Sequence, residues 1–125
     1  MEIKVGNAFR NLDQIRAMNA YNWRDKIGTG KEGGHAVAKK VPAQIIQNGF
    51  LGALAFAIEN EGSGYENVFK AILDHLKNAN LNRGVSCESP QKFLDDLCNK
   101  DADTLRQITA ESLAYLNFLR RFAKA

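Results

Sequence analysis

Ser63-Gly64-Tyr65-Glu66-Asn67-Val68-Phe69-Lys70-Ala71-Ile72-Leu73-Asp74-His75-Leu76 is the stretch on which the fold turns. Tyr65, Phe69, Ile72 and Leu76 recur at i, i+4, i+7 and i+11, which gathers them on one face of a 3.6-residue helix. Ser63 and Glu66 stand in the Ser-x-x-Glu order of a capping box, whose two side chains satisfy amides that a first turn leaves orphaned. Such a helix needs partners for its apolar face. The rest of the chain offers helix formers (Ala, Leu, Lys, Gln, Glu), only two prolines, and no run of alternating β-branched residues that reads as a strand.

Toward the C-terminus, residues 78–88 read as a loop. Ser89-Pro90 then supplies an N-cap and a first helical residue for a short fifth helix that carries Phe93, Leu94, Leu97 and Cys98 inward. The last helix runs from about Asp103. Leu105, Ile108, Leu113, Tyr115, Leu116, Leu119 and Phe122 form its apolar arc, with Arg106, Asn117, Arg121 and Lys124 opposite. Asp101 and Asp103 lie at its positive end and Arg120, Arg121 and Lys124 at its negative end, as the helix dipole favours.

Toward the N-terminus, Phe50 to Glu59 is apolar almost all round and should be the most buried element. Asn48-Gly49 is the stop before it. Val37, Val41 and Ile45 repeat at four-residue steps on a second helix that begins near His35. Pro42 either kinks that helix or opens a new one. A first helix places Ala8, Phe9, Leu12, Ile15, Trp23 and Ile27 on one side; Asn19 falls inside that stripe and needs a partner if buried. The expected fold is all-α, a compact single-domain bundle of five to six helices over residues 1–125.

Composition agrees, with 45% hydrophobic and 25% charged residues, which sets disorder aside. The net charge of +3 hides an asymmetry: residues 1–48 hold eight basic and four acidic residues, residues 49–99 four and seven, and residues 100–125 five and three. If the two basic ends meet, they form one modest positive surface of the kind that attracts nucleic acid. Cys87 and Cys98 are too few for a disulfide framework or a zinc site, and read as free thiols in a reducing cytosol. Met1-Glu2-Ile3-Lys4 lacks the apolar core of a signal peptide, so a cytoplasmic protein is expected. Residues 41–58 carry no charge, but Pro42, Gln44, Gln47, Asn48 and Gly49 interrupt them, so they read as buried core and not as a membrane span.

No catalytic constellation emerges. Gly28-x-Gly30-x-x-Gly33 has the dinucleotide-binding spacing but follows a helix, with no parallel sheet to place it, so it reads as a connector. His35 reads as a loop residue and His75 as a polar helix position, forty residues apart and without companion metal ligands. Glu59, Glu61 and Glu66 read as capping and solvation. What remains are surfaces: Lys39 and Lys40; Arg106, Arg121 and Lys124; and Arg10, Arg16, Arg24 and Lys26 along the first helix, from which Tyr21 projects with a ring able to stack on a base or a partner side chain.

Two stretches carry a family resemblance. Ala38-Lys39-Lys40-Val41-Pro42-Ala43-Gln44-Ile45-Ile46-Gln47-Asn48-Gly49-Phe50-Leu51-Gly52-Ala53-Leu54-Ala55-Phe56 resembles the core signature of the Cmr small-subunit family of type III-B CRISPR systems. So does the ending, Leu105-Arg106-Gln107-Ile108-Thr109-Ala110-Glu111-Ser112-Leu113 and Leu119-Arg120-Arg121-Phe122-Ala123-Lys124, while Tyr21-x-Trp23 resembles the aromatic pair of the family's first helix. The glycine-rich connector 28–34 and the segment 78–100 match nothing in that pattern. The resemblance implies an α-helical, non-catalytic subunit packed in several copies along the inner filament of a ribonucleoprotein. It implies as partners the large polymerase-like subunit, the backbone subunits, further copies of itself and the crRNA/target RNA duplex, with no cofactor and no membrane. Charge and position then nominate Lys39, Lys40, Arg106, Arg121 and Lys124 for sequence-independent phosphate contacts. The rival expectation is a helical adaptor in the same complex with no direct RNA contact. A DNA-reading helix-turn-helix is disfavoured, because the helix after Asn48-Gly49 has no basic residue.

Overall fold

The computed structural model describes residues 2–5, 8–28 and 33–123. Two short antiparallel strands come first, β1 (Glu2–Val5) and β2 (Ala8–Asn11), with Val5 opposite Ala8 and Glu2 opposite Asn11. This corrects the expectation of a helix from Ala8: alternation over Glu-Ile-Lys-Val is too short to stand out as a strand. Asn11 ends β2 and caps α1 (Leu12–Trp23). Its side chain accepts from the Gln14 amide at 2.8 Å while Gln14 Oε1 accepts from the Asn11 amide at 2.9 Å, a complete capping box.

Then follow α2 (Gly34–Val37), α3 (Val41–Glu59), α4 (Gly64–Asn78), α5 (Pro90–Leu97) and α6 (Ala102–Phe122). The expected all-α bundle is what forms. Pro42 opens α3 in its first turn, where a missing amide hydrogen costs nothing. Gly49 breaks α3 with φ 81 and ψ 160, a conformation essentially closed to residues with a Cβ, so Asn48-Gly49 stops one helical run and the next starts at Phe50.

α4 is the central element and packs against each of the other five helices. Val68, Phe69, Ala71, Ile72, Leu73 and Leu76 are buried on it, and Phe69 meets Phe50 edge-on at 5.7 Å. The expectation that Phe50–Glu59 is the most buried element is therefore corrected. Phe50, Ala53, Leu54 and Ala57 go inward, but Phe56 is 39% exposed, and Ile46, earlier on the same helix, is 74% exposed.

The capping box expected at Ser63 also fails. The Ser63 amide already donates to the Asn60 carbonyl at 3.1 Å, so Glu66 takes the Gly62 amide at 3.2 Å, and the buried Ser63 hydroxyl has no partner. Ser89 and Asp101 do cap their helices, accepting from Lys92 at 3.2 Å and Thr104 at 2.8 Å. Phe93 and Leu97 of α5 are buried, whereas Cys98, expected inward, is its exposed C-cap.

Candidate nucleic-acid interface

α1 packs more extensively on α6 than any other pair of helices pack, so the first and last helices do meet. A polar cluster pins the seam. Arg16 grips Glu111 with two parallel bonds, Nε to Oε2 at 2.8 Å and Nη2 to Oε1 at 2.7 Å, and its remaining arm reaches Asp13 at 2.7 Å. Behind Glu111 lies His75 of α4, wholly buried and stacked on Tyr115 with ring centroids 4.4 Å apart. The Asn19 amide donates to His75 Nδ1 at 2.9 Å, which leaves Nε2 as the donor to Glu111 Oε2 at 2.8 Å. Burial works to raise the Glu111 carboxyl, but the hydrogen bonds from Arg16 and His75 outweigh it and hold the group below its ordinary value of 4.5. Asn19 thus has the partner that its place in an apolar stripe demanded. His75 is on α4 as expected, though as the centre of a buried network.

The open end of this seam combines charge with aromatic surface. The Arg24 guanidinium sits 3.6 Å over the Tyr21 ring, and Tyr21 meets Phe122 of α6 edge-on at 5.7 Å. Half of Tyr21 stays exposed, and Arg120 and Arg121 sit beside Phe122 in the last turn of α6. Arg121 also borders a shallow groove of about 310 Å³ between α1 and α6, together with Asp13, Arg16 and Phe118. α2 is tied to the same end. The Gly34 amide donates to the Ile27 carbonyl at 2.7 Å, and His35, buried in α2 where a loop position was expected, donates from Nε2 to the Arg24 carbonyl. Lys39 and Lys40 follow directly on α2, both exposed.

The fold therefore groups some of the nominated cations and separates others. Arg121 adjoins Phe122, which meets Tyr21 near the end of α1, while Lys39 and Lys40 come after α2, whose His35 bonds to the Arg24 carbonyl. Arg106 is fifteen residues up α6 from Arg121, about 22 Å along the axis, where it pairs with Asp103 at 3.1 Å. Lys124 lies outside the described residues, as do residues 29–32 of the glycine-rich connector. Of the basic points on the first helix, Arg16 is taken up by Glu111 and Lys26 lies 5.2 Å over Trp23. Arg24, Arg120 and Phe122 join the site in ways sequence reasoning did not anticipate. The signal was available: Tyr21 stands three residues before Arg24, one helical turn away, and Phe122 directly follows Arg120 and Arg121.

Cys87 and Cys98 are both free. Burial pushes the Cys87 thiol up to about 11, with Lys77 opposing and Asp74 adding to the shift. Among the described residues no group of three His, Cys, Asp or Glu side chains is placed to hold a metal ion.

Comparison with known families gives a match over most of the chain. The family described as CRISPR-associated protein (Cas_Cmr5) covers residues 12–125. No curated protein and no solved structure matches.

Proposed function

The chain belongs to the CRISPR-associated Cas_Cmr5 family, the Cmr small subunits of type III-B systems, and from that premise we propose that it is a non-catalytic structural subunit of the Cmr ribonucleoprotein. Membership implies partnership with other Cmr subunits. In this reading it works in the cytoplasm, as several copies along the inner filament beside the polymerase-like and backbone subunits. There it supports crRNA-guided capture of target RNA through contacts that ignore sequence.

The observation that carries the reading is the edge where the Arg24 guanidinium lies over Tyr21, Phe122 meets that ring edge-on, and Arg120 and Arg121 adjoin Phe122. Cations position phosphates without reading bases, and an exposed ring accepts any base because every base has a π-face. The buried titratable groups support a structural role. Arg16 and His75 both bond to Glu111, and His75 is sealed from solvent.

A second observation favours a protein-facing role as well. The exposed Ile46 and Phe56 leave apolar surface on α3 that the bundle does not cover, a surface suited to the next copy or to the large subunit. An adaptor with that face alone, making no RNA contact, is the competing reading.

Target-RNA binding by the reconstituted complex separates the two. It is measured with the wild-type subunit, without it, and with Lys39→Glu/Lys40→Glu/Arg121→Glu, at several salt concentrations. If the edge neutralises phosphate, the incorporated triple variant weakens binding and flattens the logarithmic salt dependence by about 2, at roughly 0.7–0.9 for each phosphate left without its cation. An incorporated variant that binds like the wild type, in a complex that fails only on omission, leaves the adaptor.

A further inference from the structure

We propose that a cleft of about 380 Å³, formed between the end of α1, α4 and the segment entering α5, is a binding site for one unpaired nucleotide. Small-ligand sites run from about 300 to 1,000 Å³, so this cleft is sized for a single unit and not for a folded oligomer. It shares no residue with the basic edge and goes beyond the function proposed above.

Its apolar wall is Trp23, Leu73 and Pro90. The Trp23 ring is held in place: its Nε1–H donates to Asp74 Oδ2 at 2.7 Å, and the Lys26 ammonium lies over its face. A fixed indole is the surface on which a planar base packs at low entropic cost. Lys70 and Lys77, two turns apart on α4, flank this wall. Lys77 makes no ion pair among the described residues, and Lys70 has only Glu66 at 3.4 Å.

The cleft also contains Asp74 and Glu88, whose negative charges the surrounding lysines have to outweigh. Asp74 accepts from Trp23 and from Asn78 at 3.1 Å, and Glu88 is held by Lys92 at 2.6 Å. Ser89 and Pro90, the N-cap and first residue of α5, bring that helix's positive end to the border. The Cys87 thiol, raised by burial, stays protonated at neutral pH and so forms a neutral wall rather than an anion opposing phosphate. Around the cleft Lys26, Lys70, Lys77 and Lys92 stand against Glu66, Asp74 and Glu88, an excess of one positive charge beside an aromatic wall, which fits a heteroaromatic ring carrying phosphate. Both a free nucleotide and a splayed-out nucleotide of a strand have that chemistry.

Trp23 is the chain's single tryptophan, so its fluorescence reads the cleft directly. Titration with adenosine or uridine monophosphate, or with a single-stranded oligouridylate, is expected to quench it saturably, while ribose 5-phosphate, an anion without the ring, leaves it unchanged. Quenching by the monophosphates identifies a free nucleotide as sufficient; quenching by the oligonucleotide alone identifies the strand. Lys70→Ala/Lys77→Ala is expected to weaken binding at least about tenfold, and the cleft-filling Cys87→Phe to abolish it. Arg121→Glu, a change at the basic edge, is expected to quench like the wild type, so the two proposals fail separately. The absence of saturable quenching by any nucleotide, equal affinity in the lysine variant, or equal loss in Arg121→Glu would overturn the proposal.

Discussion

α3 runs for nineteen residues with a single charge, at its final Glu59, whereas α4 packs Glu66, Lys70, Asp74, His75 and Lys77 into fifteen. Yet α4 is the helix that the fold seals. Burial follows the spacing of apolar residues and not their number. On α4 they fall on one wide arc, and the one polar residue on it, His75, finds Asn19 and Glu111. On α3 they fall all round, and Gly49 swings the second half away from the first, so one bundle cannot cover both sides. A surplus of apolar surface remains, where a soluble chain would ordinarily place charge.

The widest contrast is one residue type on two helices. Phe69→Ala, emptying a site at 0% exposure, is expected to cost about 3–5 kcal/mol in urea denaturation. Phe56→Ala removes an edge-on packing against Tyr65 at 5.0 Å and is expected to cost about 1 kcal/mol. Equal costs would mean that α3 is as deeply seated as α4.

The buried network on the α4 side extends the contrast to pH. Glu111 is held below 4.5 in the folded chain, so its contribution to stability is present above that value and is lost as pH falls through the folded pKa. Glu111→Gln is expected to lower stability by about 1.5–3 kcal/mol at neutral pH. The gap from the wild type should close as the pH is taken below 4.5. A gap that stays constant into acid would place the worth of this residue in packing rather than charge. No comparable change at neutral pH is expected from substitutions on the outer side of α3, which carries no ionisable group before Glu59.

What the chain discloses without a structure follows the same division. Tyr65, Phe69, Ile72 and Leu76 announce α4 because local periodicity and tertiary packing agree there, and Ser89 and Asp101 mark helix starts because capping is a local interaction. The pairing of β1 with β2 is not legible, since four-residue strands are specified by their partner. Nor is the pairing of Asn19, His75 and Glu111, whose members stand 56 and 36 residues apart. Of the candidate interface, Lys39, Lys40, Tyr21 and Arg121 could be chosen from charge and helical position. That Arg106 lies apart from Arg121, and that Arg24 joins Tyr21 to Phe122, depends on the parallel course of α1 and α6.

The smallest expected change in stability belongs to the outer side of α3. Ile46 is 74% exposed, so Ile46→Ser removes almost no buried area and should shift unfolding by no more than about 0.5 kcal/mol in either direction. Its effect is expected in assembly: the variant should fold normally yet enter the reconstituted Cmr complex less readily than the wild type, as read from the ratio of subunits in the purified particle. A surface-exposed control, Asn117→Ser on α6, should leave that ratio unchanged. Normal incorporation of Ile46→Ser would mean that the apolar surplus of α3 faces no partner there. The difference between the two helices would then reflect only how far one small bundle can cover an apolar helix. Loss of incorporation with intact stability would show why α3 is left bare: the surface that the chain cannot bury alone is buried against its neighbours.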